Sequence, residues 1–257
     1  MVIKMNNTLT TLGLGLVILG SSFAALANEP TLCQAKEYQM ALRYQQQSAE
    51  IKAIQLQTYR FARQRLAEIL QAEQGKTDHK RLAVVMDLDE TILDNTPLLV
   101  RDMQNCQDYT TWDTWADWEI HGHPTLIPGA KGFIEYADQQ GVSLYYVSDR
   151  YDENKASTIK TLEELGLPQV SESTVLLYKL SKQQRRDSIA KDHRIIMLMG
   201  DSLPDVSAEF KNKQDTQYNR DLVEKNAAHF GQDWIIFPNA SYGAWKQAEL
   251  NAWQSNE

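Results

Sequence analysis

The sequence predicts an α/β protein built on a parallel sheet with helices over both faces. Three observations carry that expectation. Five short apolar runs recur from residue 82 onward, at 82–86, 142–147, 174–178, 195–199 and 234–237. They are continuous rather than alternating, as strands buried on both faces are. Helical patterns separate several of them, at 130–140 and 153–165. Hydrophobic residues make up 42% of the 257 without any repeat, enough for one large domain or two small ones with full cores.

Taken in order, residues 1–27 read as an export signal. Lys4 is the only charge, an apolar run follows from Leu9 to Leu26, and Ala25-Leu26-Ala27 is a small-x-small cleavage pattern. An uncleaved anchor is the alternative, but the run is diluted by Gly and Ser and makes a poor membrane span. Cys33 lies six residues past Ala27, too far to be a lipidation site at that cleavage point. The expectation is a soluble exported chain, periplasmic or secreted, with residues 28–257 as its folded domain. Export would admit a Cys33–Cys106 disulfide, although sequence leaves pairing and two free thiols equally open.

Residues 34–74 carry apolar side chains at three- and four-residue steps with no Gly or Pro before Gly75. They predict one long helix or two. The segment 94–128 departs from the strand–helix alternation. It holds Tyr109, Trp112, Trp115, Trp118, His121 and His123, and reads as an insertion over the sheet edge.

Composition removes several classes of function. With 26 Lys+Arg against 34 Asp+Glu, the net charge is −8, which argues against a binder of nucleic-acid polymers. Two cysteines are too few for a disulfide scaffold or a four-cysteine zinc site. His121-Gly122-His123 lacks a third ligand nearby and reads as a polar loop rather than a transition-metal site.

The chemistry gathers where the apolar runs end. Right-handed crossovers put the C-terminal ends of parallel strands along one edge, where ligands bind. The first run leads into Asp87-Leu88-Asp89-Glu90-Thr91, and the second into Ser148-Asp149-Arg150. Lys179 and Lys182 follow the third, and Gly200-Asp201-Ser202-Leu203-Pro204-Asp205 follows the fourth. Any one of these polar residues could be a helix cap or a turn, but four together exceed what capping explains. Period-two geometry would point Asp87 and Asp89 to one side, with Thr91 in phase if the extended path continued. Two adjacent carboxylates resist double ionisation, so an ionised Asp87 could attack phosphorus while a protonated Asp89 served as acid and then base. Asp87 and Asp201 with a backbone carbonyl make a hard oxygen set suited to Mg²⁺. Lys182, Ser148 and Thr91 offer a charge and hydrogen bonds to phosphate oxygens, with Lys179 competing for the amine role.

In this order, Asp87-x-Asp89-x-Thr91, Ser148, Lys182 and Gly200-Asp201-x-x-x-Asp205 resemble the four motifs of the haloacid dehalogenase superfamily, at spacings of 61, 34 and 19 residues. The strings MDLDETILDNTP, SAEIKAIQLQTYRFA and FPNASYGAW resemble the class C acid phosphatases of bacterial envelopes, and the likeness runs from about residue 34 to 250. The resemblance implies a haloacid dehalogenase-like Rossmannoid sheet with N-terminal helices and a small cap-like insertion. It implies Asp87 as nucleophile, Asp89 as acid/base, and Thr91, Ser148 and Lys182 as phosphate ligands. It places the metal on Asp87, the Asp89 carbonyl and Asp201, with Asp205 in support. Arg185-Arg186 after Lys182 fits the family's Lys-x-x-Arg pattern and favours Lys182 over Lys179. The family also points to a phosphomonoester substrate such as a 5′-nucleotide, and to Trp115 and Tyr242 as stacking candidates, although packing is the default role of any aromatic side chain. Two departures are the absent lipidation Cys and Asp149, where close relatives often carry Asn. A dehalogenase would not need Asp89 and Asp201. An envelope ligand-binding protein with little turnover is the competing reading from another class. Sequence leaves self-association open.

Overall fold

The computed structural model describes residues 33–75, 80–211 and 215–253, so the expected export signal lies outside the described residues. In chain order the main elements are α1 (Gln39–Gln47), α2 (Ala49–Glu73), β1 (Arg81–Met86), β2 (Leu93–Asp94), α3 (Thr96–Gln104), α4 (Trp115–His121), β3 (Thr125–Leu126), α5 (Ala130–Gln139), β4 (Ser143–Tyr151), α6 (Lys155–Glu164), β5 (Val175–Tyr178), α7 (Lys182–Asp192), β6 (His193–Gly200), α8 (Thr216–Lys225) and β7 (Trp234–Ile236).

The five apolar runs form one sheet of order β5-β4-β1-β6-β7, with every pairing parallel. β1 is central. The chain leaves it for β4 and β5 on one side, then returns to β6 and β7 on the other, which opens a crevice at the C-terminal ends of β4, β1 and β6. Alternate residues of β1 serve different cores. Val84 and Met86 pack with Tyr59, Leu66, Phe133 and Ile134 from α2 and α5. Ala83 and Val85 pack with Ile189 of α7. This two-sided burial is why the run reads as continuously apolar.

The N-terminal helical segment is two helices. The break falls at Ser48, which is extended (ψ 141°) and accepts a hydrogen bond from Ile51 N as the N-cap of α2. A serine cap breaks the helix where no Gly or Pro does. Tyr59 of α2 then reaches into the core, and its hydroxyl donates to the Thr91 carbonyl at 2.6 Å.

The insertion is closed by β2 and β3, paired antiparallel through Leu93–Leu126 and Asp94–Thr125. Its helices enclose a second apolar cluster of Leu98, Leu99, Met103, Tyr109 and Trp115, joined by Leu42 of α1. Cys33 and Cys106 form a disulfide with a Cα–Cα distance of 5.3 Å, so the pairing left open by sequence is made. It ties the start of the described chain to the insertion.

Candidate active site

β1 ends at Met86, and Asp87 N donates to Met199 O of β6 at 2.9 Å. The chain then winds tightly. Ile92 N and Leu93 N both donate to Leu88 O at 2.8 Å, and Glu90 sits at φ 54°. The extended path that would have kept Thr91 in phase with Asp87 and Asp89 is therefore broken at Glu90. Thr91 is fully buried, and its hydroxyl has no hydrogen-bond partner. Such an orphaned donor is costly unless a ligand or water meets it.

The two aspartates keep separate company. Asp87 Oδ1 accepts from Lys182 Nζ at 2.6 Å, and the same ammonium donates to Asp205 Oδ1 at 2.5 Å. Asp89 accepts from Ser148 Oγ (2.9 Å), Asn95 Nδ2 (2.9 Å) and Arg150, whose Nε and second guanidinium nitrogen lie 2.9 and 2.8 Å from Oδ1. Protonation follows these partners. Burial pushes the Asp87 carboxyl well above its usual range; Lys182 pulls it down, while Asp205, Asp201 and Asp89 push it up again. Burial also raises Asp89, but the Arg150 charge and the hydrogen bonds from Arg150, Ser148 and Asn95 outweigh it and hold the group low. The two carboxyls are thus shifted in opposite directions, because the cation beside Asp89 is its own, whereas Asp87 shares Lys182 with Asp205.

Local sequence explains how Lys182 arrives. Ser181 caps α7 and makes a reciprocal capping box with Gln184, so Lys182 is the first helical residue. Arg185 donates to the carbonyls of Ser148 (2.5 Å) and Leu176 (2.9 Å) and pairs with Asp149. Arg186 donates to the carbonyls of Pro204 (3.1 Å) and Asp205 (2.5 Å). The two arginines staple α7 to the ends of β4 and β6. Lys179, by contrast, has a 79% exposed side chain 3.8 Å from Asp152, so the amine at the site is Lys182.

Ser148 lies where the β4–β5 register shifts between Val147 and Tyr151. Such irregularities re-aim side chains at sheet ends. It is fully buried, and its hydroxyl faces Asp89.

Asp87, Asp201 and Asp205 bring one carboxylate oxygen each to within 4.8 Å of one another, the one metal-type cluster among the described residues. Asp201 Oδ2 accepts from Asn239 Nδ2 at 2.8 Å, and burial, then Asp205, push its carboxyl up to about 7. Asp205 is already committed, to Lys182 through Oδ1 and to Ser202 N through Oδ2 at 2.9 Å. Three carboxylates around one ammonium, all with hard oxygen donors, fit a small divalent cation.

The rim is aromatic. Trp112 is 43% exposed and meets the half-buried Tyr242 edge-on, centroids 5.2 Å apart. The Tyr242 hydroxyl donates to Glu90. Trp115 lies behind these two rings rather than on the open surface. It is 4% exposed, packed among Leu42, Leu99 and Tyr109, with its ring nitrogen donating to Tyr109 O. Trp115, expected as a stacking residue, thus backs the rim from the insertion's core, its ring centroid 5.2 Å from that of Trp112 and 5.9 Å from that of Tyr242, and Trp112 is the more exposed ring. Sequence reasoning noted Arg150 and Arg186 only as parts of longer patterns, without these partners, and passed over Asn95 and Asn239. An arginine three residues past an apolar run, at the edge where the carboxylates gather, is a signal that could have found Arg150.

The family profile described as HAD superfamily, subfamily IIIB (Acid phosphatase) matches residues 14–245. This chain belongs to that family of acid phosphatases. It is similar in structure to the class C acid phosphatase from Bacillus anthracis, with a TM-score of 0.77 and 31% identity over 84% of this chain and 89% of that one. A second structure of the Bacillus anthracis enzyme, with tungstate bound, matches to the same degree. The protein is accordingly a phosphomonoester hydrolase on an α/β fold, and its acidic cluster is of the kind that holds a divalent metal.

One glycine of the phosphatase is required by contact. A Cβ on Gly200 would lie 2.3 Å from Asp205 Cβ and 2.2 Å from Asp205 Oδ2. Gly200→Ala is expected to displace Asp205 and with it Lys182, costing about 1–3 kcal/mol of stability and roughly a hundredfold in kcat. Thermal unfolding and initial rates check this; unchanged kcat would separate Asp205 from the chemistry.

Proposed function

We propose that the protein is an exported, Mg²⁺-dependent acid phosphatase that hydrolyses phosphomonoesters, 5′-nucleotides among them, through an aspartyl-phosphate at Asp87. The observation that carries the reading is the Lys182 ammonium held between Asp87 and Asp205 beside Asp201, at the C-terminal edge of the central strands.

Phosphoryl transfer demands positioning and charge neutralisation more than covalent help from many groups. A phosphate seated among Lys182, Ser148 and Thr91 would draw the ammonium and satisfy the orphaned Thr91 hydroxyl. Its negative charge beside Asp89 raises that group's affinity for a proton. Asp87 attacks phosphorus and forms a new O–P bond while the P–O bond to the alcohol breaks. Asp89 gives its proton to the departing oxygen, then removes one from water, which attacks phosphorus, breaks the acyl O–P bond and restores Asp87. The cation would be held by the carboxylates of Asp87 and Asp201 and the Asp89 carbonyl, with Asp205 orienting its surroundings. When bound it supplies positive charge to the phosphate oxygens. Tungstate, a tetrahedral oxyanion, in the Bacillus anthracis enzyme supports an oxyanion pocket in this family.

The exposed Trp112 and the Tyr242 ring give a flat leaving group an aromatic surface, which supports a nucleotide substrate. The Cys33–Cys106 disulfide supports an oxidising compartment, and no helix among the described residues is long and apolar enough to cross a membrane. Residues 1–27 as signal and 28–257 as the phosphatase domain remain part of this proposal.

The test is a panel of 5′-nucleotides, 3′-nucleotides, sugar phosphates and p-nitrophenyl phosphate, with Mg²⁺ or with a chelator. Mg²⁺-dependent phosphate release with highest kcat/KM on 5′-nucleotides is expected. Binding without turnover would favour an envelope binding protein instead. Stability gives an independent readout. Asp201 has a folded-state pKa of about 7, above its ordinary value, so its contribution is present at low pH and lost as pH rises through about 7. The raised Asp87 acts in the same direction. Chelated protein should therefore melt lower at pH 8 than at pH 5, and Mg²⁺ should raise Tm more at pH 8. Equal Mg²⁺ shifts at both pH values would place the ion elsewhere.

A further inference from the structure

Asn95 is fully buried at the junction between the catalytic loop and the insertion. Its Nδ2 donates to Asp89 Oδ1 at 2.9 Å. Its Oδ1 accepts from the indole nitrogen of Trp118 on α4 at 2.8 Å and from Arg150 at 3.2 Å. Its backbone N donates to Glu90 Oε1 at 3.0 Å. These partners leave one amide orientation. The indole and the guanidinium can only donate, so they need the oxygen, and the carboxylate of Asp89 needs the NH₂. α4 is in turn seated on the end of β4, where Glu119 accepts from Tyr151 N and from Asn154 Nδ2 at 2.8 Å.

We infer that Asn95 is a positioning residue that fixes the Asp89 carboxylate and, through Trp118, makes its placement depend on the seated cap helix. The inference rests on the reading of Asp89 as general acid and base. Arg150 supplies the charge beside Asp89, but a carboxylate can rotate against a guanidinium. The Asn95 amide adds a third direction of restraint to those of Ser148 and Arg150. Trp118 prevents that amide from turning over. Misplacement of a catalytic group by about 1 Å can cost on the order of a hundredfold, so a relay of this kind is worth building into the insertion.

The dependence on leaving group separates positioning from mere support. An alkyl phosphate expels a strongly basic alkoxide that needs a proton, whereas p-nitrophenolate leaves without one. kcat/KM reports the steps through departure of the alcohol, before water attacks the aspartyl-phosphate. Asn95→Ala should lower kcat/KM for an alkyl phosphate by about ten- to a hundredfold and for p-nitrophenyl phosphate by less than about threefold. Trp118→Phe, which keeps a ring and removes only the N–H, should shift the same ratio in the same direction by a smaller factor. In an Asp89→Asn background, Asn95→Ala should change the alkyl-to-aryl ratio no further, since its effect passes through the group already lost.

Equal losses on both substrates in Asn95→Ala and Trp118→Phe would overturn the inference. So would an Asn95 effect that adds fully to that of Asp89→Asn. If Asp89→Asn itself left the alkyl-to-aryl ratio unchanged, the general-acid reading would fall instead. If Asn95→Ala does not fold, Trp118→Phe carries the comparison alone.

Discussion

Asp87→Asn is expected to lower kcat by at least about four orders of magnitude, on the scale of removing the nucleophile from a hydrolase. The amide has the shape of the carboxyl and can still accept from Lys182 Nζ, 2.6 Å from Oδ1 in the native site. Only nucleophilicity and one negative charge are removed. Substrate affinity should therefore survive or improve, because a phosphate dianion no longer meets three carboxylates beside one ammonium. Rates with a substrate panel, together with inhibition by inorganic phosphate, check both halves. A variant that kept kcat within tenfold of wild type would remove Asp87 from covalent chemistry.

Asp89→Asn separates the proton-transfer role from the covalent one. The variant is expected to lose about two to four orders of magnitude in kcat, the range assigned to general acid–base help. Because Asp89 is proposed to act both on the departing alcohol and on the attacking water, kcat should fall for every substrate. kcat/KM should fall chiefly for alkyl phosphates. The fold should be weakened, because Arg150 would then lack its main charged partner; the Asp89 carboxylate is what raises the Arg150 guanidinium despite its burial. Breaking a buried pair in this way costs about 3–5 kcal/mol at most, so kinetics belong well below the melting temperature. Unchanged kcat in a folded variant would exclude Asp89 from proton transfer.

The sheet was legible because a parallel strand covered on both faces leaves an unbroken apolar run, and β1, β5 and β7 match their runs to within a residue or two. β4 was legible only in part. It continues through Ser148, Asp149 and Arg150 to Tyr151, pairing with Tyr178 across the register shift, and polar residues there hide the strand from hydropathy. Helix α1 ends at a serine rather than at Gly or Pro, so the break at Ser48 left only a weak local mark.

Asp87, Asp201 and Lys182 were legible because each follows a strand that the topology brings to one edge. Asn95 and Arg150 were not, although both lie within or beside the motifs. Their partners are 23 residues away for Asn95 and Trp118, and 61 for Arg150 and Asp89. No local pattern encodes such pairs. Thr91 was placed by continuing a strand that in fact turns at Glu90, where φ is 54°. Trp115 was one of three tryptophans in a short insertion, and only the packing of α3, α4 and α1 separates the buried one from Trp112 on the rim.

The most direct test of the central claim is chemical capture of the phosphorylated enzyme. Wild-type protein turning over a phosphomonoester with Mg²⁺ is quenched, reduced with borohydride and mapped by mass spectrometry. An acyl-phosphate at an aspartate is reduced to homoserine with loss of phosphate. Homoserine at position 87, dependent on substrate and on Mg²⁺, is the expected result. Homoserine at another aspartate, or a reduced glutamate, with position 87 still aspartate, would contradict it.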